Sequence, residues 1–108
     1  MSVFLIAEVH VTDDAWIPDY AAKVHDIVAS HGGKYLSRSA SIEQLEGESQ
    51  DTTLIALIEF PSADALKAFV NDPEYASFAK ARQNGSESRF RMIDDTDVAG
   101  SIPYLPAA

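Results

Sequence analysis

Thr53–Arg82, TLIALIEFPSADALKAFVNDPEYASFAKAR, carries a strand, a capped helix and a second helix one after another. Leu54 to Phe60 is an almost unbroken apolar run of strand formers ending at Pro61. Alternate strand side chains point to opposite faces, so Leu54, Ala56, Ile58 and Phe60 share one face and Ile55, Leu57 and Glu59 the other. Apolar residues at both parities predict a central strand covered on both sides. Ser62 offers a helix N-cap hydroxyl, and Asp64 suits the positive end of the helix dipole. Ala65, Leu66, Phe69 and Val70 form the apolar stripe of that helix. Asn71-Asp72-Pro73 ends it, and Asp72 caps a new helix with Pro73 in its first position. Tyr75, Phe78, Ala79 and Arg82 recur at helical spacing, and Asn84-Gly85 predicts a left-handed stop.

Upstream, Val3–Val11 reads as a strand with Val3, Leu5, Ala7, Val9 and Val11 on one face. Phe4, Ile6, Glu8 and His10 take the other. Thr12-Asp13-Asp14 signals a helix start, loosened by Pro18 a few residues in. Ile17, Tyr20, Ala21, Val24, Ile27, Val28 and His31 keep helical period up to the break at Gly32-Gly33. Lys34–Ala40 predicts the second strand, and Ser41–Glu48 its extension or a hairpin turning at Glu46-Gly47-Glu48. Downstream, Ser88–Asp94 predicts the fourth strand. The boundaries expected are one domain over residues 1–97 and a tail, 98–108, docked on the domain or on a partner chain.

The resulting order, β-α-β-β-α-β, is the α+β arrangement of ferredoxin-like folds: a four-stranded antiparallel sheet with its helices on one face. The other face is then bare, and if it carries Phe4, Ile6, Ile55 and Leu57 its exposure is costly. Each such side chain contributes about 1.5–3 kcal/mol when buried, and four give roughly 6–12 kcal/mol, comparable with a whole domain's stability. Two copies meeting sheet to sheet about a two-fold axis would cover it, so a homodimer is expected.

Composition narrows the function classes. The 108 residues are 46% hydrophobic and 23% charged, as in a globular chain. A net charge of −9 argues against nucleic-acid and anionic-membrane partners. Cysteine is absent, which removes disulfides, thiolate nucleophiles and cysteine metal sites. The apolar run Val3–Ala7 is too short for a signal peptide or a membrane span, and a cytoplasmic address is the expectation. His10, His25 and His31 lack metal-ligand spacing, and no phosphate-cradling glycine loop or nucleophile elbow occurs. Neither a metal nor a cofactor is therefore expected.

The runs HGGKYLSR at 31–38, LEG at 45–47, IEFPS at 58–62, DPEY at 72–75 and finally Arg82 resemble the family called domain of unknown function 1330. The resemblance spans about residues 3–95. It departs at Ser39-Ala40, where the family commonly has glycines, and in the proline-containing tail after Asp97. It implies membership of the dimeric α/β barrels, among them cofactor-free monooxygenases, muconolactone-type isomerases and haem enzymes.

Several polar residues have a functional and a structural reading. His31, at a helix C-terminus before two glycines, could move a proton or simply cap the helix. Arg38 shares parity with Lys34 and Leu36, which points it at the bare face; there it could hold a ligand carboxylate or pair with Glu8 or Glu59. Glu59, inside a central strand, is expected to be buried, as a general base or as the partner of Arg38, Arg89 or Arg91. Glu8 and His10 share a strand face and could work as a carboxylate–imidazole pair, or form a surface or dimer-rim pair. Tyr75 and Arg82 share a helix face, with the Tyr75 hydroxyl either lining a pocket or packed on the sheet. Trp16 is expected in the core or an interface. A haem-dependent variant would need His10 or His31 as axial ligand.

The expected protein thus binds a small carboxylate or aromatic molecule in the cleft between sheet and helices. His31, Arg38, Glu59 and Tyr75 lead the list, followed by Arg82, Glu8 and His10. Its chemistry, if enzymatic, is that of a cofactor-free oxygenase or isomerase. The competing expectation is a non-enzymatic homodimeric module in which these polar residues satisfy one another.

Overall fold

The computed structural model describes residues 2–99. Seven elements follow in chain order: β1 (Val3–Val11), α1 (Ile17–Ser30), β2 (Lys34–Ser39), β3 (Leu54–Phe60), α2 (Ala63–Val70), α3 (Pro73–Asn84) and β4 (Ser86–Asp94). The strands form one antiparallel sheet in the order β2-β3-β1-β4. This is the expected ferredoxin-like α+β arrangement, with the second helical stretch divided at Asn71-Asp72.

The alternation in β1 builds the core. Val3, Leu5, Ala7 and Val9 are buried, and they pair across to Phe60, Ile58, Ala56 and Leu54 of β3. Val24, Ile27 and Val28 of α1 with Leu66 and Phe69 of α2 close over that face. The opposite parity, including Phe4, Ile6, Ile55 and Leu57, is only half-buried. The both-sided cover expected for β3 is therefore incomplete within one chain.

Caps follow the sequence closely. Ser62 Oγ accepts from the Ala65 N–H at 3.1 Å, and Asp72 Oδ1 from the Glu74 N–H at 2.8 Å. Pro18 lies in the first turn of α1, whose N-cap residue Trp16 makes no side-chain cap bond. Gly32 ends that helix at φ +79°, a conformation that favours glycine.

Four expectations need correction. Ser41–Glu48 forms neither a strand nor a hairpin, and the chain from Ala40 to Thr53 is irregular. Its residues Ile42 and Leu45 are too sparse among polar neighbours to bury a strand face. β2 ends one residue earlier than expected and β4 begins two residues earlier, at Ser86. Gly85 is not left-handed, with φ −104°. It is a glycine for lack of room, because a Cβ there would collide with the Trp16 indole.

The fourth correction re-aims a side chain. Tyr35 pairs with Ile58 but Ser37 pairs with Leu57, so Leu36 is an extra residue, a β-bulge. One added residue reverses the facing of everything after it. Arg38, opposite Ala56, therefore faces the helices and not the bare side. Of the tail, residues from Gly100 onward, and with them most of the expected docking segment, lie outside the described residues.

Candidate functional site

Between sheet and helices lies a cavity of about 390 Å³. Its origin is visible in the register: Ala7 and Ala56 face each other across β1 and β3, so the middle of the sheet floor carries only methyl groups. Ala21 on α1 leaves the roof equally low. Larger residues stand around this gap, namely Leu5, Val9, Leu54, Ile58 and Phe90 from the sheet and Trp16, Ile17 and Phe69 from the helical side. Interiors otherwise pack as densely as organic crystals, so a gap of this size is a feature to explain.

Polar groups sit at its two ends. On the β2 side, Arg38 Nη2 donates to His25 Nδ1 at 2.8 Å, and its guanidinium carbon lies 3.8 Å from the Tyr35 ring centre. The His25 and Tyr35 rings are parallel within 6°, their centres 5.4 Å apart. Since Nδ1 accepts, the imidazole proton is on Nε2. Arg38 and His25 are both exposed, which makes this the mouth. On the β4 side Arg82 lines the cavity while only 6% exposed, with its guanidinium carbon 4.1 Å from the Phe90 ring centre. Its Nη1 donates to Ser88 Oγ.

Aromatic rings form a wall along the helical side. Trp16 meets Tyr20 edge-on at 5.1 Å, and Tyr75 meets Phe69 at 4.4 Å. Such pairs add about 0.5–1.5 kcal/mol each beyond burial. The Tyr20 and Tyr75 hydroxyls lie 2.7 Å apart. Burial, and secondly the Tyr75 hydroxyl, push the Tyr20 pKa far above the usual phenol range. Burial likewise raises Tyr35, partly offset by Arg38.

The sequence candidates divide between this cavity and other places. Arg38 and Arg82 meet in it, joined by Trp16. Tyr75 is buried beside it, its hydroxyl turned to Tyr20. His31 Nε2 donates to Asp72 Oδ2 at 2.7 Å, tying the end of α1 to the start of α3. That contact, followed by the Glu74 N–H, lowers the Asp72 pKa. Glu59, opposite Phe4 and Lys34, belongs to the bare face and is half-exposed, not buried. A carboxylate at odd parity in β3 can turn to solvent there, and it makes no ion pair among the described residues. Glu8 and His10 share that face as expected but do not pair. Glu8 Oε1 accepts from Arg91 Nη2 at 2.5 Å, and His10 Nδ1 lies 2.5 Å from the Asp51 carbonyl. Neither His10 nor His31 lines the cavity. Among the described residues no group of three or more histidines and carboxylates could hold a metal ion.

His25 is the site residue that sequence reasoning missed. Its signal was present, since it falls four residues after Ala21 and eight after Ile17, both on the cavity side of α1. Tyr20 and Tyr35 were likewise legible as apolar-stripe and strand residues but not as lining.

A four-stranded antiparallel sheet with helices on one face and a cavity beneath them defines a ferredoxin-like α+β protein. The chain belongs to the family described as Domain of unknown function (DUF1330), whose model matches residues 2–96. No curated protein matches it. Among solved structures it is similar to a protein of unknown function from Rhodopseudomonas palustris, with TM-score 0.75 and 17% identity over 89% of this chain and 83% of that one. It is also similar to SnoaB, a cofactor-independent oxygenase from Streptomyces nogalater, with TM-score 0.65 and 15% identity over 89% of this chain and 94% of that one. A conserved Bacteroides thetaiotaomicron protein described as a possible oxidoreductase follows at TM-score 0.56 and 13% identity, covering 86% of this chain and 96% of that one. Identities this low speak for the fold alone.

Proposed function

We propose that the cavity is a binding site for a flat, largely apolar organic molecule of aromatic type, which enters through the mouth framed by Arg38, His25 and Tyr35. One observation carries this reading: an apolar gap of about 390 Å³ under a floor of two alanines, in a chain small enough that an empty gap is expensive. The aromatic wall of Trp16, Tyr20 and Phe69 suits stacking against a ring. The shared fold of SnoaB supports, by analogy, chemistry without a bound cofactor, as an oxygenase or an isomerase. The partnering of His31 with Asp72 and of Glu8 with Arg91 favours structural work for those residues. A proton-transfer role for Glu59 or His10 would require a second copy on the bare face.

That face is the other half of the proposal. Phe4, Ile6, Ile55 and Leu57 are half-buried there, with Ile93 54% and Leu36 45% exposed beside them. A second copy packed on this face accounts for so much apolar surface.

Trp16 is the single tryptophan and lines the cavity, so its fluorescence reports occupancy. Titration with the neutral dye N-phenyl-1-naphthylamine is expected to give saturable Trp16 quenching with one dye per chain. Ala56→Phe, which fills the floor, is expected to abolish it while keeping the circular dichroism of the natural chain. Saturable quenching unchanged in the folded variant would overturn the reading.

A further inference from the structure

Among the described residues Arg82 is the one charged side chain that is buried. Its Nη1 has Ser88 and its flat face has Phe90, but its Nε finds no acceptor among the described residues. No carboxylate neutralises it, because the ion pairs among those residues are His31–Asp72 and Arg91–Glu8. Shortage of acid is not the reason, for the chain has 17 aspartates and glutamates. Tyr20 does not serve as its anion either: burial, and secondly Tyr75, keep that hydroxyl protonated far beyond the ordinary phenol range. A guanidinium stays charged in proteins, and a buried charge without a partner is strongly unfavourable.

Arg38 differs in exposure and in its hydrogen-bond partner. It is exposed, donates to His25 and lies on Tyr35, so water and neighbours already satisfy it.

We infer that the missing counter-ion is the ligand, and that the guanidinium of Arg82, which lines the cavity, binds the anionic oxygen of an aromatic carboxylate or phenolate at the buried end. The ring body then lies on the Ala7–Ala56 floor, and the edge remote from the anion points to the mouth. This inference rests on the proposal that the cavity is a ligand site and adds the class and direction of what enters it. Charge-assisted hydrogen bonds in a dry site are stronger than neutral ones, so the acid is preferred over a neutral molecule of the same shape.

The test compares 2-naphthoate with 2-naphthamide, of nearly the same shape but uncharged, by displacement of N-phenyl-1-naphthylamine. In the natural chain 2-naphthoate is expected to bind at least tenfold tighter than the amide. Arg82→Gln is expected to erase that ratio and Arg38→Gln to leave it standing. Because loss of a buried arginine can unfold the chain, the Nε–H signal of Arg82 in ¹⁵N-labelled natural protein gives a second readout. It is expected to move with the acid and not with the amide. Equal affinities for acid and amide, or a preference lost in Arg38→Gln and kept in Arg82→Gln, overturn the inference while the cavity reading stands. So does failure of both compounds in a chain that binds the neutral dye. Failure of the dye as well removes the cavity reading and the inference with it.

Discussion

Asp72 serves two donors at once. Its Oδ1 accepts from the Glu74 N–H as the N-cap of α3, and its Oδ2 faces His31 Nε2 at the end of α1. Both contacts favour the carboxylate, so its pKa in the folded chain lies below the usual 3.8, with the His31 contact the larger cause. A depressed carboxylate pKa contributes stability above the unfolded value and loses it as pH falls through the folded value. Asp72→Asn is therefore expected to melt lower than the natural chain at pH 7, with the gap narrowing as pH drops below the ordinary carboxylate range. Parallel melting curves of the two proteins across pH 2–7, followed by circular dichroism, check this; a gap that widens in acid contradicts it. At this scale the sequence was informative about caps: Ser62, Asp72 and His31 occupy the termini expected of them. It was less so about Gly85, where a close neighbour on a distant element, Trp16, sets the requirement and the left-handed turn does not.

The seven elements follow from period and punctuation, and the elements that differ from expectation do so for local reasons. β3 was legible because both parities are apolar and Pro61 closes it. β2 was legible as a strand but not as a bulged one, since Leu36 carries no mark that distinguishes an inserted residue from a paired one. That single insertion moves Arg38 from the bare face to the cavity. Ser41–Glu48 borrowed strand character from Ile42 and Leu45, yet Leu45 is 87% exposed and the segment remains a connection. The cavity itself depends on Ala7 and Ala56 being opposite each other, a register fact between strands about fifty residues apart in sequence. Pattern reading sees two alanines in two strands and has no means of placing them side by side. His25 was overlooked for a related reason: an exposed polar residue at the edge of a helical stripe gains meaning only when Tyr35 and Arg38 are set beside it.

For the whole molecule the two faces of the sheet tell separate stories. The helix side encloses the cavity within one chain, so the site stands without a twin. The bare side carries half-exposed Phe4, Ile6, Ile55 and Leu57, and the account expects a second copy there. Sedimentation at micromolar concentration is expected to give twice the 11.7 kDa chain mass, and Ile6→Glu to halve it. A natural chain sedimenting at the single-chain mass removes the sheet-to-sheet assembly and leaves the cavity untouched. The central claim, that the gap beneath the helices is where a small aromatic anion goes, is tested most directly by mapping amide shifts in the ¹⁵N–¹H spectrum as 2-naphthoate is added. The account predicts that the moving signals belong to Val9, Tyr20, Ala56, Arg82 and Phe90 around the cavity. Shifts confined to Ile6, Ile55 and Arg91 on the bare face would contradict it.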